Sequence, residues 1–132
     1  MADEVKKTDS GKKTILVVED DQFLVRLYQL EIAKKGIDVW IATNGEEALA
    51  FMSKGVPNAI LLDLMLPGKN GFDVLSEMRS KDTWKNIPVF IVSNLGQEAD
   101  IKRAEGFGVK DYTVKVNMRL SDVVDKVAKL IQ

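Results

Sequence analysis

The chain of 132 residues contains no cysteine and no histidine. The first absence excludes a disulfide framework, a thiolate metal site and a thiol nucleophile. The second removes the usual general base and the usual transition-metal ligand, so any metal held here is expected to be a hard, oxygen-preferring cation such as Mg²⁺. Neither sign of charge dominates: 19 Lys and Arg stand against 20 Asp and Glu, which gives no general electrostatic attraction to nucleic acid or to an anionic membrane. The longest apolar candidate, Ala59 to Leu66, is interrupted by Asp63 and falls far short of the roughly 20 residues of a spanning helix. No signal peptide, repeat or low-complexity tract is evident. The expectation is a cytoplasmic protein with no direct nucleic-acid or membrane partner, and the length suits one domain.

Against that background the pattern that is present stands out. Residues 1–12, MADEVKKTDSGK, mix charges with Ser, Thr and Gly and read as a disordered lead-in. From Thr14 the chain alternates. TILVV (Thr14 to Val18) reads as a buried strand, followed by a helix with Leu24, Leu27, Tyr28 and Ile32 at helical spacing that stops at Gly36. A second strand is expected over Ile37 to Ala42, and a helix over Glu46 to Met52, with Asn44 and Glu47 as a capping box. Ala59 to Leu62 forms the third strand; after Pro67-Gly68, Phe72, Leu75 and Met78 mark the third helix. Strand four is expected at Ile87 to Ser93, a short helix in QEADIKRAEGFG, strand five at Asp111 to Lys115, and a last helix with a stripe of Leu120, Val123, Val124, Val127 and Leu130. Five apolar strands alternating with five helices imply a parallel sheet covered on both faces. Ligands of such sheets bind beyond the carboxyl ends of the strands, where strand order reverses.

Strand one delivers Glu19, Asp20 and Asp21 to that end; strand three delivers Asp63, strand four Ser93 and strand five Lys115. Each has an ordinary reading when taken alone. The acidic trio suits the cap of the first helix, Asp63 an Asx turn, Ser93 a turn and Lys115 a solvated surface. Together they suggest more, because carboxylates gathered at one mouth repel one another unless a cation holds them. A Mg²⁺ ion takes carboxylates, carbonyls and waters and leaves positions for a phosphate oxygen. A lysine and a hydroxyl opposite it supply the charge and the donor a phosphoryl group requires.

The segments ILVVEDD (Ile15 to Asp21), LLDLMLPGKNGFDVL (Leu61 to Leu75), IPVFIVS (Ile87 to Ser93) and DYTVK (Asp111 to Lys115), in this order and spacing, resemble the receiver domain of two-component response regulators. The likeness is to the stand-alone, single-domain type of the chemotaxis regulator class. It implies a flavodoxin-like doubly wound (βα)5 fold, strand order 2-1-3-4-5, over residues 13–132. It also implies that Asp63 accepts a phosphoryl group from a histidine kinase, a phosphotransfer protein or a small phosphodonor. The implied ligands of Mg²⁺, or of Mn²⁺ in its place, are Asp20 directly, Glu19 through water, Asp63 and the carbonyl of Met65, with Asp21 left out. Ser93 and Lys115 would contact the phosphoryl group, and Ser93 with Tyr112 would act as the switch. The resemblance further implies a signalling phosphoacceptor in place of a turnover enzyme, a monomer or weak dimer whose helix 4–strand 5–helix 5 surface is read by an output protein.

The chain departs from its relatives at four positions. Val116 stands where a proline, often after a cis bond, is usual; a cis bond before a non-proline residue costs about 3–4 kcal/mol, so a trans Lys115–Val116 bond is expected. Asn94 replaces a small residue and is expected to restrict access to the phosphoryl site or to bond an oxygen there. Met65 and Leu95 are apolar where some relatives hold a hydrolytic water, which implies slow self-dephosphorylation. Three rival readings compete. A flavin carrier of similar topology would need a phosphate loop after strand one, where Glu-Asp-Asp repels phosphate. An aspartyl-phosphate phosphatase would need an acid at the place of Met65. A receiver-like module working by contact alone would have no use for the complete set.

Overall fold

A computed structural model describes residues 11–132. Of the expected lead-in, residues 1–10 lie outside the described residues. The elements run in the order β1 (Thr14–Val18), α1 (Gln22–Lys34), β2 (Asp38–Ala42), α2 (Gly45–Lys54), β3 (Ala59–Leu62), α3 (Gly71–Arg79), β4 (Val89–Ser93), α4 (Glu98–Gly106), β5 (Asp111–Val114), a 3-10 turn (Lys115–Asn117) and α5 (Leu120–Ile131). These strands form one parallel sheet in the order β2-β1-β3-β4-β5, the order the family resemblance implies. Strand order reverses between β1 and β3, so the crevice for a ligand opens beyond Val18 and Leu62.

The alternation of strand side chains divides the core in two. Leu16, Val18, Ile60, Leu62, Val89 and Ile91 face α2, α3 and α4, packing with Met52, Phe72, Leu75 and Met78. Ile15, Val17, Ala59, Leu61, Phe90 and Val92 face α1 and α5, packing with Tyr28, Ile32, Val123, Val124 and Val127. β1, β3 and β4 are buried along their whole length, whereas every residue of β5 is half-buried. That exposure suits an edge strand at the side of the molecule where α4 and α5 flank it.

Local chemistry sets the helix ends. Asp21 caps α1, its carboxylate accepting from the amides of Phe23 and Leu24 at 2.9 and 3.2 Å. Asn44 caps α2 and accepts from the Glu47 amide at 2.8 Å; the Glu47 carboxylate reaches past the cap to the Thr43 amide at 2.7 Å, one residue earlier than a capping box requires. Gly71 has to be glycine: a Cβ there would stand 2.5 Å from the Leu64 Cα and 2.6 Å from the Asp63 carbonyl oxygen. The start of α3 therefore presses directly on the segment that carries Asp63.

Several boundaries differ from expectation. β4 begins at Val89, because Pro88 has no amide to give the ladder, although its carbonyl still accepts from Ile60 at 2.9 Å. β5 ends at Val114, and Lys115 opens the 3-10 turn. Leu130 is 47 % exposed; the buried stripe of α5 turns through Val127 and Ala128 to the partly buried Ile131. Val25, unremarked in the sequence pattern, is buried on α1. No peptide bond among the described residues is cis, Lys115–Val116 included.

Candidate functional site

Neighbouring strand ends bring four side chains to one mouth. Glu19 follows β1, Asp63 follows β3, Ser93 ends β4 and Lys115 follows β5. Backbone bonds fix the first two: the Glu19 amide donates to the Ala42 carbonyl at 2.9 Å and the Asp63 amide to the Val18 carbonyl at 3.1 Å. Glu19 and Asp63 are 2 % and 4 % exposed, and a buried carboxylate is costly unless paired and hydrogen-bonded. Here both are. Lys115 reaches across the end of β4 and places its Nζ 2.7 Å from Asp63 Oδ2 and 3.0 Å from Glu19 Oε1. The other Asp63 oxygen, Oδ1, accepts from the Met65 amide at 2.9 Å, and Glu19 Oε2 accepts from the Asp21 amide at 3.1 Å.

The electrostatics reflect this crowding. Burial raises the Glu19 carboxyl above its ordinary value; the Asp21 amide and Lys115 oppose that, and the charge of Asp63 adds to it. Burial by itself would lower the Lys115 ammonium, but its bonds to Asp63 and Glu19 outweigh this and leave it raised. The site therefore holds one cation between two buried acids. Asp20 sits beside them and is exposed. One oxygen of each of Glu19, Asp20 and Asp63 lies within 4.8 Å of the others. These all-oxygen donors, with Asp20 open to solvent, suit a hard divalent cation that keeps part of its water.

The remaining candidates surround this cluster. Ser93 is fully buried, and its Oγ accepts from the Leu95 amide at 3.3 Å. Tyr112 is half-buried against the core, and its hydroxyl donates to the Leu95 carbonyl at 2.5 Å. Burial, with the charges of Asp100 and Asp63, raises its pKa, so it remains a neutral donor. Ser93 and Tyr112 thus grip the two sides of one peptide residue, Leu95. Met65 is 53 % exposed at the rim; Leu95 turns its side chain to the core. Asn94, expected to restrict access, is exposed on the loop. Asp21 serves as a helix cap, the ordinary reading of the whole acidic trio. Sequence reasoning places Tyr28 only on a helix face and passes over Met118; both lie close to this site, and the signal available is a phenol where an apolar ring would suffice.

Residues 15–128 match the family model described as the response regulator receiver domain. A "Probable transcriptional regulator ycf27" of Cyanophora paradoxa is 36 % identical over 105 residues, 80 % of this chain and 43 % of that protein. The chain thus spans less than half the length of the curated relatives it matches first. Among solved structures, the phosphorylated cyanobacterial phytochrome response regulator RcpA superposes with a TM-score of 0.77 at 33 % identity, covering 91 % of each chain. The Mn²⁺-bound form of response regulator Rcp1 gives 0.74 at 32 %, covering 89 % of this chain and 91 % of that one.

Proposed function

The chain belongs to the response regulator receiver family of two-component signalling, and from that membership we propose that Asp63 is its phosphoryl acceptor. The observation that carries this is the buried Asp63 carboxylate held 2.7 Å from Lys115 at the carboxyl end of the sheet, with Glu19 and Asp20 alongside. The donor is a histidine kinase, a phosphotransfer protein or a small acyl phosphate, and the protein acts in the cytoplasm. Asp20, Asp63 and the Met65 carbonyl, with Glu19 through water, would hold Mg²⁺, or Mn²⁺ in its place. When bound, that cation would supply positive charge for the phosphoryl oxygens and relieve the repulsion between the acids.

The residues of this chain do the rest. An Asp63 carboxylate oxygen attacks phosphorus and forms the new P–O bond while the donor's P–N or P–O bond breaks, its electron pair leaving with the donor. Lys115 already stands beside the nucleophile and pairs with the incoming oxygens without travelling. The domain thereby assists its own phosphorylation, without turnover of a substrate pool. Ser93 has a proton free to donate to the new phosphate. Because Ser93 and Tyr112 both hold Leu95, a shift of Ser93 toward that phosphate moves the loop between β4 and α4 together with the ring of Tyr112. The surface of α4, β5 and α5 changes with them, and an output protein reads it.

Incubation with acetyl phosphate and Mg²⁺, followed by intact mass, tests the reading. The native chain is expected to gain one phosphate and Asp63→Asn none. An adduct on Asp63→Asn equal to the native one would overturn it.

A further inference from the structure

Tyr28 is 1 % exposed, set among Ile15, Val17, Ile32 and Leu61 on the side of the sheet covered by α1 and α5. A phenylalanine would fill this place with less desolvation. The hydroxyl's acceptor is the Met118 thioether, with Oη 3.8 Å from Sδ, and a thioether accepts only weakly. Burying a hydroxyl on such a partner costs free energy, so the oxygen calls for a use that packing does not supply.

Its position supplies one. Met118 directly follows the 3-10 turn Lys115–Asn117, and its amide donates to the Lys115 carbonyl at 3.0 Å, closing that turn. Lys115 leaves the turn to bond Asp63 and Glu19. Val116, inside the turn, is 82 % exposed and anchors nothing. Met118 is therefore the point at which the turn meets the core, and Tyr28 meets it there. Burial and the nearby Glu19 and Asp63 charges push the Tyr28 phenol up, so it stays protonated and a donor.

We infer that Tyr28 is a positioning residue for Lys115: its hydroxyl anchors Met118 and, through the closed turn, fixes the point from which the lysine reaches the two acids. The inference rests on the reading of Asp63 as acceptor and Lys115 as its cationic partner. Tyr28 touches neither donor nor phosphate. It acts by limiting where the ammonium can stand, and misplacement of a charge partner lowers the rate of transfer more than it lowers the affinity for the donor.

The experiment uses the full chain with Mg²⁺ and a range of acetyl phosphate concentrations, following the adduct by intact mass over time. Tyr28→Phe removes one oxygen, and Met118→Leu keeps the volume while removing the sulfur. Each is expected to lower the maximal rate roughly threefold to tenfold, the worth of one modest hydrogen bond, with the half-saturating donor concentration unchanged. The double variant is expected to be no slower than the slower single one, because both act through the same contact. The thermal midpoint of Tyr28→Phe should equal or exceed that of the native chain. Native-like maximal rates, rate losses that multiply in the double variant, or losses matched by a lowered midpoint would overturn the inference while leaving Asp63 as acceptor. A native chain that takes no phosphate would bring down both.

Discussion

The two ends of the sheet each hold a partly buried cation, and they hold it by opposite means. At the carboxyl end, Lys115 is a point charge between two carboxylates, Glu19 and Asp63. At the amino end, the Arg79 guanidinium touches only backbone oxygen: Nε donates to the Phe107 carbonyl at 2.6 Å, Nη1 to Lys85 and Ile87 at 2.9 and 3.1 Å, and Nη2 to Gly108 at 3.4 Å. Burial lowers the arginine's pKa, but a guanidinium stays charged. The fork joins the end of α3 to the segments entering β4 and β5, including the carbonyl end of α4, where a cation is favoured. A cage of carbonyls cannot be exchanged or titrated, so Arg79 is a permanent clamp. A pair of acids around one ammonium can be rearranged by any other cation, or by a phosphoryl group on Asp63 that shares the lysine with them.

The widest separation between the two ends should come from Lys115→Met. Without the ammonium, two buried carboxylates face each other, and breaking such a pairing costs about 3 kcal/mol or more. Denaturant unfolding at neutral pH in the presence of a chelator should read that loss. Mg²⁺ at a hundred times its dissociation constant should return about 2.7 kcal/mol by linkage. Acidification should also help, since protonated acids no longer repel. A loss that Mg²⁺ leaves untouched would make Lys115 a fixed clamp like Arg79, and the contrast would fail.

Arg79→Leu is expected to cost less, about 2 kcal/mol, because hydrogen bonds from a charged donor are worth about 1.5–3 kcal/mol and the freed carbonyls find water at the surface. That loss should be the same with Mg²⁺ or chelator and the same at pH 5 and pH 8. Phosphate uptake at low temperature should survive. A Mg²⁺-dependent loss in this variant would show that the two ends are coupled through β4 and α4, sharpening the comparison into a test of long-range communication.

The contrast also marks how far the sequence can be read. The strands and the four strand-end residues are legible because each depends on a local pattern: an apolar run fixes a strand, and the residue at or just past its end stands at the mouth. The order of the strands comes from the family resemblance, since no local pattern carries it. Arg79 and Tyr28 are not legible, since nothing in MRS or RLYQ tells which carbonyls or which thioether lie opposite; their partners come from segments 6 to 90 residues away. The end of β5 escapes for a related reason. Lys115 continues an extended pattern in sequence, but in the structure it opens a 3-10 turn closed by the bond from the Met118 amide. The pattern puts Leu130 on the α5 stripe, but the face that meets the core runs through Val124, Val127, Ala128 and Ile131, and Leu130 falls to the side of it.

The smallest effect concerns sign more than size. The Glu19 carboxyl is raised above its ordinary value of 4.5, with burial the main cause. Its folded form therefore holds a proton more tightly than the unfolded chain does, and its contribution to stability declines as pH climbs from 4.5 through the raised value. The amide introduced by Glu19→Gln has no proton to lose. Relative to the native chain, the variant should thus gain stability across that window in chelator, by about 1 kcal/mol, the scale of one exchanged hydrogen bond. Unfolding free energies of both proteins at pH 4, 5, 6 and 7 give the difference directly. With Mg²⁺ present the order should reverse, because the ion stabilises the chain that offers it one more anionic oxygen. A difference that moves toward the native chain in chelator would mean that Lys115 more than compensates the burial of Glu19. The carboxyl end would then be as settled as the arginine cage, with no surplus negative charge to draw in a metal.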